Sequence, residues 1–306
     1  MSDEAARLER LRRVGWALAA LCLAVVTLSA WLRLSGAGLG CAAWPDCYAA
    51  FLGGAPFGVP AGVRVVHRIV ATLALLLAIY VVWDSRSPAR LQPVATRAAV
   101  LLGAMLVLSI VGIWSSDPRR VPVNLANLLG DLLLVVFASR VALAGAGAPA
   151  VAARPPTGFL VRAGLGLLAA AVLAGAFIGA RYAATACLSL TGCGDPDLSV
   201  ALTALAGLDP FSGLAVPRGP GDPGGAALHL LHRLFGFAAV AVLGMAAWRS
   251  RRHGTRCADL LLALLVLETL LGLATVIGGF PLWVAVAHNL GAALLLAAAA
   301  VWRSSR

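Results

Sequence analysis

Between Val14 and Leu32 the chain carries no charged residue. A run of this kind constrains the fold more than any motif, because about 20 apolar residues in a helix span the roughly 30 Å hydrocarbon core of a bilayer. Seven comparable runs follow, so that eight candidate spans fall at about 14–32, 61–83, 94–114, 122–143, 159–180, 224–248, 259–279 and 282–302. Backbone groups in hydrocarbon must be satisfied within the protein, which leaves helices or a closed barrel. Uninterrupted apolar runs, rather than period-two alternation, select helices. Arg7, Arg10, Arg12 and Arg13 ahead of the first run also suit a signal peptide, but the run is long for one and no clear small-residue cleavage site follows. The expected fold class is an all-α polytopic membrane protein with eight transmembrane helices.

Composition agrees: 61% of the residues are hydrophobic and 12% charged, where a soluble domain carries about 25% charged residues. The net charge is +11, and all 24 basic residues are arginine. These arginines stand between the apolar runs rather than in one stripe, which argues against a nucleic-acid partner and for membrane topology. Most of them fall on one side if both termini are cytoplasmic, so the expectation is a multi-pass protein of the cell inner membrane, in contact with the lipid bilayer. Arg119 and Arg120, in a short outer loop, go against the rule. Trp31, Trp83, Trp114 and Trp283 fall near span ends, as interfacial anchors should.

The segment Ala144–Gly158, rich in Ala, Gly and Pro, breaks any helix at Pro155-Pro156 and divides the chain into two sets of four spans. The sets echo one another in three places and in the same order. Cys41-x5-Cys47 matches Cys187-x5-Cys193, His67-Arg68 matches His232-Arg233, and Asn127-Leu-Leu-Gly matches His288-Asn-Leu-Gly. An even number of spans per repeat starts both halves on the same side, so the arrangement expected is two parallel-repeat four-helix bundles. Their boundaries are 1–143 and 159–306, with 144–158 as linker.

Cys41, Cys47, Cys187 and Cys193 all fall in loops expected outside, where oxidation is favoured. The pairings Cys41–Cys47 and Cys187–Cys193 close short loops, either as structural staples or as redox-active disulfides. Cys22 and Cys257 are read as free thiols without a role.

Ionisable residues within spans are costly and signal function. His232 and His288 each lie about two turns into a span that starts outside. Two imidazoles at equal depth on facing helices can clamp the axial positions of a haem. A lone histidine can instead bond a neighbouring helix. His67 has the matching position in the first half, where Asn127 stands in place of the second histidine. His229, three residues before His232, shares its helix face and suits a hydrogen bond to a propionate or water, or a two-histidine metal site with His232. Arg33, Arg64, Arg68, Arg181 and Arg233 lie near the outer boundary, where a guanidinium fork can pair with propionates or snorkel to headgroups. Asp131 and Glu268 lie within spans and receive no role from the sequence.

The segment Arg33-Leu-Ser-Gly-Ala-Gly-Leu-Gly-Cys41-x-x-Trp44-Pro45-x-Cys47, followed by His67-Arg68, His232-Arg233 and His288, resembles the haem A synthase family over essentially the whole chain. The resemblance implies a membrane oxidoreductase of haem A biosynthesis, oxidising the C8 methyl of haem O to a formyl group for cytochrome oxidase assembly. It implies a haem b cofactor on His232 and His288 in the C-terminal half, with His229 and Arg233 beside it. Haem O, the substrate, would lie near a catalytic His67 in the N-terminal half. Haem O synthase and oxidase assembly factors follow as partners, and a homo-oligomer is compatible. Family members carry a glutamate three residues before the first histidine and a histidine in span 4, where this chain has Arg64 and Asn127. That departure supports an alternative, a non-catalytic haem-binding membrane protein acting in oxidase assembly or haem delivery.

Overall fold

A computed structural model describes residues 3–36, 61–87, 91–114, 120–145, 158–203, 221–251 and 256–304. In chain order the helices are α1 (Asp3–Gly36), α2 (Ala61–Asp84), α3 (Gln92–Val111), α4 (Val121–Gly145), α5 (Gly158–Ala180), the short α6 (Leu198–Thr203), α7 (Pro223–Arg251), α8 (Arg256–Ile277) and α9 (Leu282–Ser304). All but α6 are long and apolar enough to cross a membrane. The chain is a multi-pass helical membrane protein, and no strand occurs among the described residues.

Each span expected from the sequence is present, with α1 and α7 extended beyond it. The arginines ahead of the first run form the opening turns of α1 and anchor it to the end of α2. Arg10 Nη2 lies 2.9 Å from Asp84 Oδ2, and Arg7 Nε lies 3.2 Å from Asp84 Oδ1. Arg7 also donates to the Asp84 carbonyl. Glu9 pairs with Arg12 and Arg13 on the same helix.

Helix α1 packs on α2 and α4, α2 on α3, and α3 on α4, which closes a ring of four. Helices α5, α7, α8 and α9 pack each on the next, but no comparable contact joins α5 to α9 among the described residues. The two sets meet where α9 lies against α1 and α4, and where α4 lies against α5. Helices without a hydrophobic drive between them associate through close packing of small residues. A Cβ on Gly15 would stand 2.7 Å from the Ala142 Cα, and one on Gly164 would stand 2.9 Å from the Leu243 Cα, so each set contains a helix crossing that only glycine permits.

Leu11, Leu18, Val81, Leu101 and Val141 fill the first core, and Leu243, Leu261 and Trp302 the second. Val65, Ile69, Leu73 and Leu76 on α2 face outward, as side chains exposed to hydrocarbon rather than water do.

The connection from α5 to α7 is a built structure. Arg181, at the end of α5, is buried; its Nη2 lies 3.1 Å from Asp222 Oδ2, and its Nη1 donates to the carbonyls of Val200 and Ala201. Asp197 Oδ1 accepts from the N–H and the hydroxyl of Ser199 and starts α6. Cys187 and Cys193 form the expected disulfide, with Cα atoms 4.6 Å apart. Cys22 and Cys257 are free thiols. Cys41 and Cys47, with the loop motif around them, lie outside the described residues, as does Arg119. Tyr182 (φ 55°) and Phe280 (φ 61°) adopt left-handed backbone just after α5 and α8. This conformation is costly for bulky residues, and both side chains are buried in one cluster with Leu34, Leu282 and Val286.

Candidate functional site

The missing contact between α5 and α9 leaves a cavity of about 480 Å3, within the range of small-molecule sites. Helices α5, α7, α8 and α9 form its walls. Arg33 and Leu34 from α1 and Leu128 and Leu132 from α4 complete it, so the first four helices contribute to a site in the last four. Its lining is mainly apolar, with His229, His232, Arg233, Glu268, His288 and Asn289 as the polar exceptions that matter.

His232 on α7 and His288 on α9 meet there, with ring centroids 6.0 Å apart and planes at 80°. Nδ1 of His232 is 2.8 Å from the Ala171 carbonyl. A carbonyl only accepts, so Nδ1 carries the proton and Nε2 keeps its lone pair. Nδ1 of His288 lies 3.1 Å from Oε1 of Glu268, within ion-pair distance but not aligned as a hydrogen bond, and both Nδ1 and Oε2 of that carboxylate are buried without a hydrogen-bond partner. Each ring also backs onto a glycine. A Cβ on Gly175 would come within 3.0 Å of His232 Cε1, and one on Gly272 within 3.3 Å of His288 Cε1. Glycine at those positions makes room for the imidazoles.

His229 lines the same cavity, but its Nε2 donates to the Ala183 carbonyl at 3.0 Å, which ties α7 to the connection after α5. Arg233 Nη1 donates to the Leu190 carbonyl and lies 3.5 Å from Cys193 Sγ, while its Nη2 is buried with no hydrogen-bond partner. Of the arginines singled out by sequence, Arg33 and Arg233 reach the cavity. Arg181 is committed to Asp222, and Arg64 and Arg68 are exposed on α2.

The other candidate residues are spread over the first four helices. His67 is half-buried near the start of α2, and Asn127 is half-buried on α4. Asp131 is buried and accepts from the Ser29 hydroxyl at 2.8 Å. Sequence reasoning gave no role to Asn289 or Asp222 and left Glu268 unassigned. The one usable signal was the polarity of Glu268 within an apolar span.

Eight apolar helices, with two imidazoles 6.0 Å apart in the wall of one cavity, define a polytopic membrane protein with a pair of neighbouring histidines between its helices. The chain belongs to the cytochrome oxidase assembly protein family, whose model matches residues 125–300. It is also similar to the heme A synthase of Shewanella oneidensis, 28% identical over 308 residues that cover 90% of each chain. A second relative is the heme A synthase of Symbiobacterium thermophilum, 30% identical over 123 residues, 40% of this chain and 38% of the relative.

Proposed function

We propose that this protein is a haem A synthase, an oxidoreductase that converts the C8 methyl of haem O to a formyl group in the maturation of cytochrome oxidase. Family membership and a relative of that name along 90% of the chain favour it over the non-catalytic alternative.

The observation that carries the reading is the pair His232 and His288. His232 and His288 would hold the haem iron, each through a ring nitrogen. The 6.0 Å between ring centroids, the protonated Nδ1 of His232 and the glycines behind both rings fit haem b in the C-terminal half. The bound group supplies a one-electron redox centre. The residues around it hold and orient: the Ala171 carbonyl fixes His232, Glu268 stands within ion-pair distance of His288, Leu132, Leu168 and Leu265 exclude water, and the unpartnered nitrogens of Arg33 and Arg233 offer donors to carboxylates.

Haem O is assigned to the N-terminal half, near His67, which serves as the catalytic residue. The halves are 1–143 and 159–306. Exchanging them maps the contacts α1–α2, α2–α3, α3–α4 and α1–α9 onto α5–α7, α7–α8, α8–α9 and α5–α4, in support of an internal duplication, while α1–α4 has no counterpart because α5 and α9 stand apart around the cavity. Both termini are assigned to the cytoplasm and the protein to the cell inner membrane, with the histidines toward the opposite face.

Co-expression with a haem O synthase, followed by chromatography of the extracted haems, tests this reading. Haem A is expected, and it is expected to disappear in His67→Ala while haem b is retained. Haem O accumulating without haem A contradicts catalysis.

A further inference from the structure

We infer that Glu268 is the positioning residue for His288, and that its carboxylate lowers the midpoint potential of a haem held between His232 and His288. The inference rests on the haem-binding reading above and adds to it the residue that sets the electron affinity of the site.

The two imidazoles are held differently. His232 meets a neutral carbonyl, which fixes its tautomer and orientation. His288 meets a carboxylate 3.1 Å from Nδ1. A negative charge at that distance attracts the Nδ1 edge of the ring, which biases its orientation, and makes the opposite nitrogen a stronger donor. A nearby negative charge in a medium of low dielectric constant favours the more positive, oxidised form of a metal centre. The second oxygen, Oε2, is buried without a hydrogen-bond partner, so the carboxylate acts on His288 with little competition.

Space for this arrangement is reserved by Gly291 on α9, where any Cβ would run into Oε2 of Glu268. Gly272, one turn after Glu268 on α8, leaves room for the His288 ring.

The first half has the same frame without this carboxylate–imidazole pair. Gly112 follows Leu108 as Gly272 follows Glu268, and Gly130 follows Asn127 as Gly291 follows His288. A Cβ on Gly130 would run into Leu108, and one on Gly112 would lie 3.9 Å from Asn127 Oδ1. Leu108 therefore occupies the Glu268 position, and Asn127 the His288 position. The carboxylate and the histidine are thus present together in one half and absent together in the other, as partners in one function would be.

The test is a potentiometric titration of the full-length protein, purified in detergent with its haem, for wild type, E268Q, E268D and G291A. E268Q keeps the side-chain shape and removes the charge. It is expected to retain haem and to change the oxidised-to-reduced ratio at fixed potential at least tenfold toward reduced haem, an upward shift of about 59 mV or more for one electron. E268D, which keeps the charge, is expected to stay nearer to wild type. Should E268Q take up no haem, G291A decides: its methyl displaces the carboxylate without neutralising it, and an upward shift is again expected. Haem-loaded E268Q whose ratio changes less than threefold, or haem-loaded G291A at the wild-type potential when E268Q is empty, overturns the assignment. A wild-type protein that takes up no haem overturns the haem-binding reading, and this inference with it.

Discussion

Nη2 of Arg33, near the end of α1, donates to Oδ1 of Asn289 on α9 at 3.1 Å. The Asn289 amide is fixed in turn, because its Nδ2 donates to the Ala285 carbonyl at 2.9 Å. A side chain from the first helix thus reaches the residue next to His288, and its Nε remains buried without a hydrogen-bond partner in the cavity wall.

Removing Arg33 should therefore affect the C-terminal site. A hydrogen bond to a charged group contributes about 1.5–3 kcal/mol. Arg33→Ala is expected to lose about that much stability in detergent unfolding and to release haem faster to a competing apoprotein. Arg33→Lys should recover only part of both effects, because an ammonium lacks the fork.

The buried Arg181–Asp222 pair is a structural clamp. Breaking one partner of such a pair costs about 3–5 kcal/mol, because the other charge is left buried and alone. Asp222→Asn and Arg181→Met should each lower the unfolding midpoint strongly. The absorption spectrum of the fraction that folds should be unchanged, which separates this pair from Arg33 and Arg233.

Gly175 is expected to be intolerant of even one methyl. Gly175→Ala places a Cβ 3.0 Å from two atoms of the His232 ring, which pushes the imidazole off the Ala171 carbonyl. The measured result should be loss of the six-coordinate haem spectrum with secondary structure retained. Gly166→Ala, on the same helix with nothing within 4 Å of its added carbon, is the control and should be silent.

The Cys187–Cys193 disulfide closes a loop with a sequence separation of 6. The entropy removed from an unfolded loop of that size is equivalent to about 2 kcal/mol. Cys187→Ser should lower stability by that order and expose a reactive Cys193 thiol to alkylation.

The helices and the paired histidines were legible in the sequence because they depend on local quantities. Apolar run length gives a span, and distance from the start of a span gives depth, which is how His232 and His288 were expected at one level. Rotation of one helix about its axis relative to another leaves no such trace. Arg33 reaching α9, Glu268 turning toward His288 and Arg181 turning away toward Asp222 all depend on rotation and on contacts between distant segments. The charge of Glu268 in an apolar span marked it as unusual, but its partner became identifiable only once α8 and α9 were packed. The choice open to each outer arginine is settled in the same way: one neighbour, Asp222, decides what Arg181 does.

The most direct measurement is the haem content and absorption spectrum of the purified protein, taken for wild type, His232→Ala, His288→Ala and His67→Ala. A six-coordinate low-spin haem is expected in wild type, lost or converted to five-coordinate in both His232→Ala and His288→Ala, and kept in His67→Ala. A colourless wild-type protein, or a haem spectrum indifferent to His232 and His288, contradicts a haem held between these two residues.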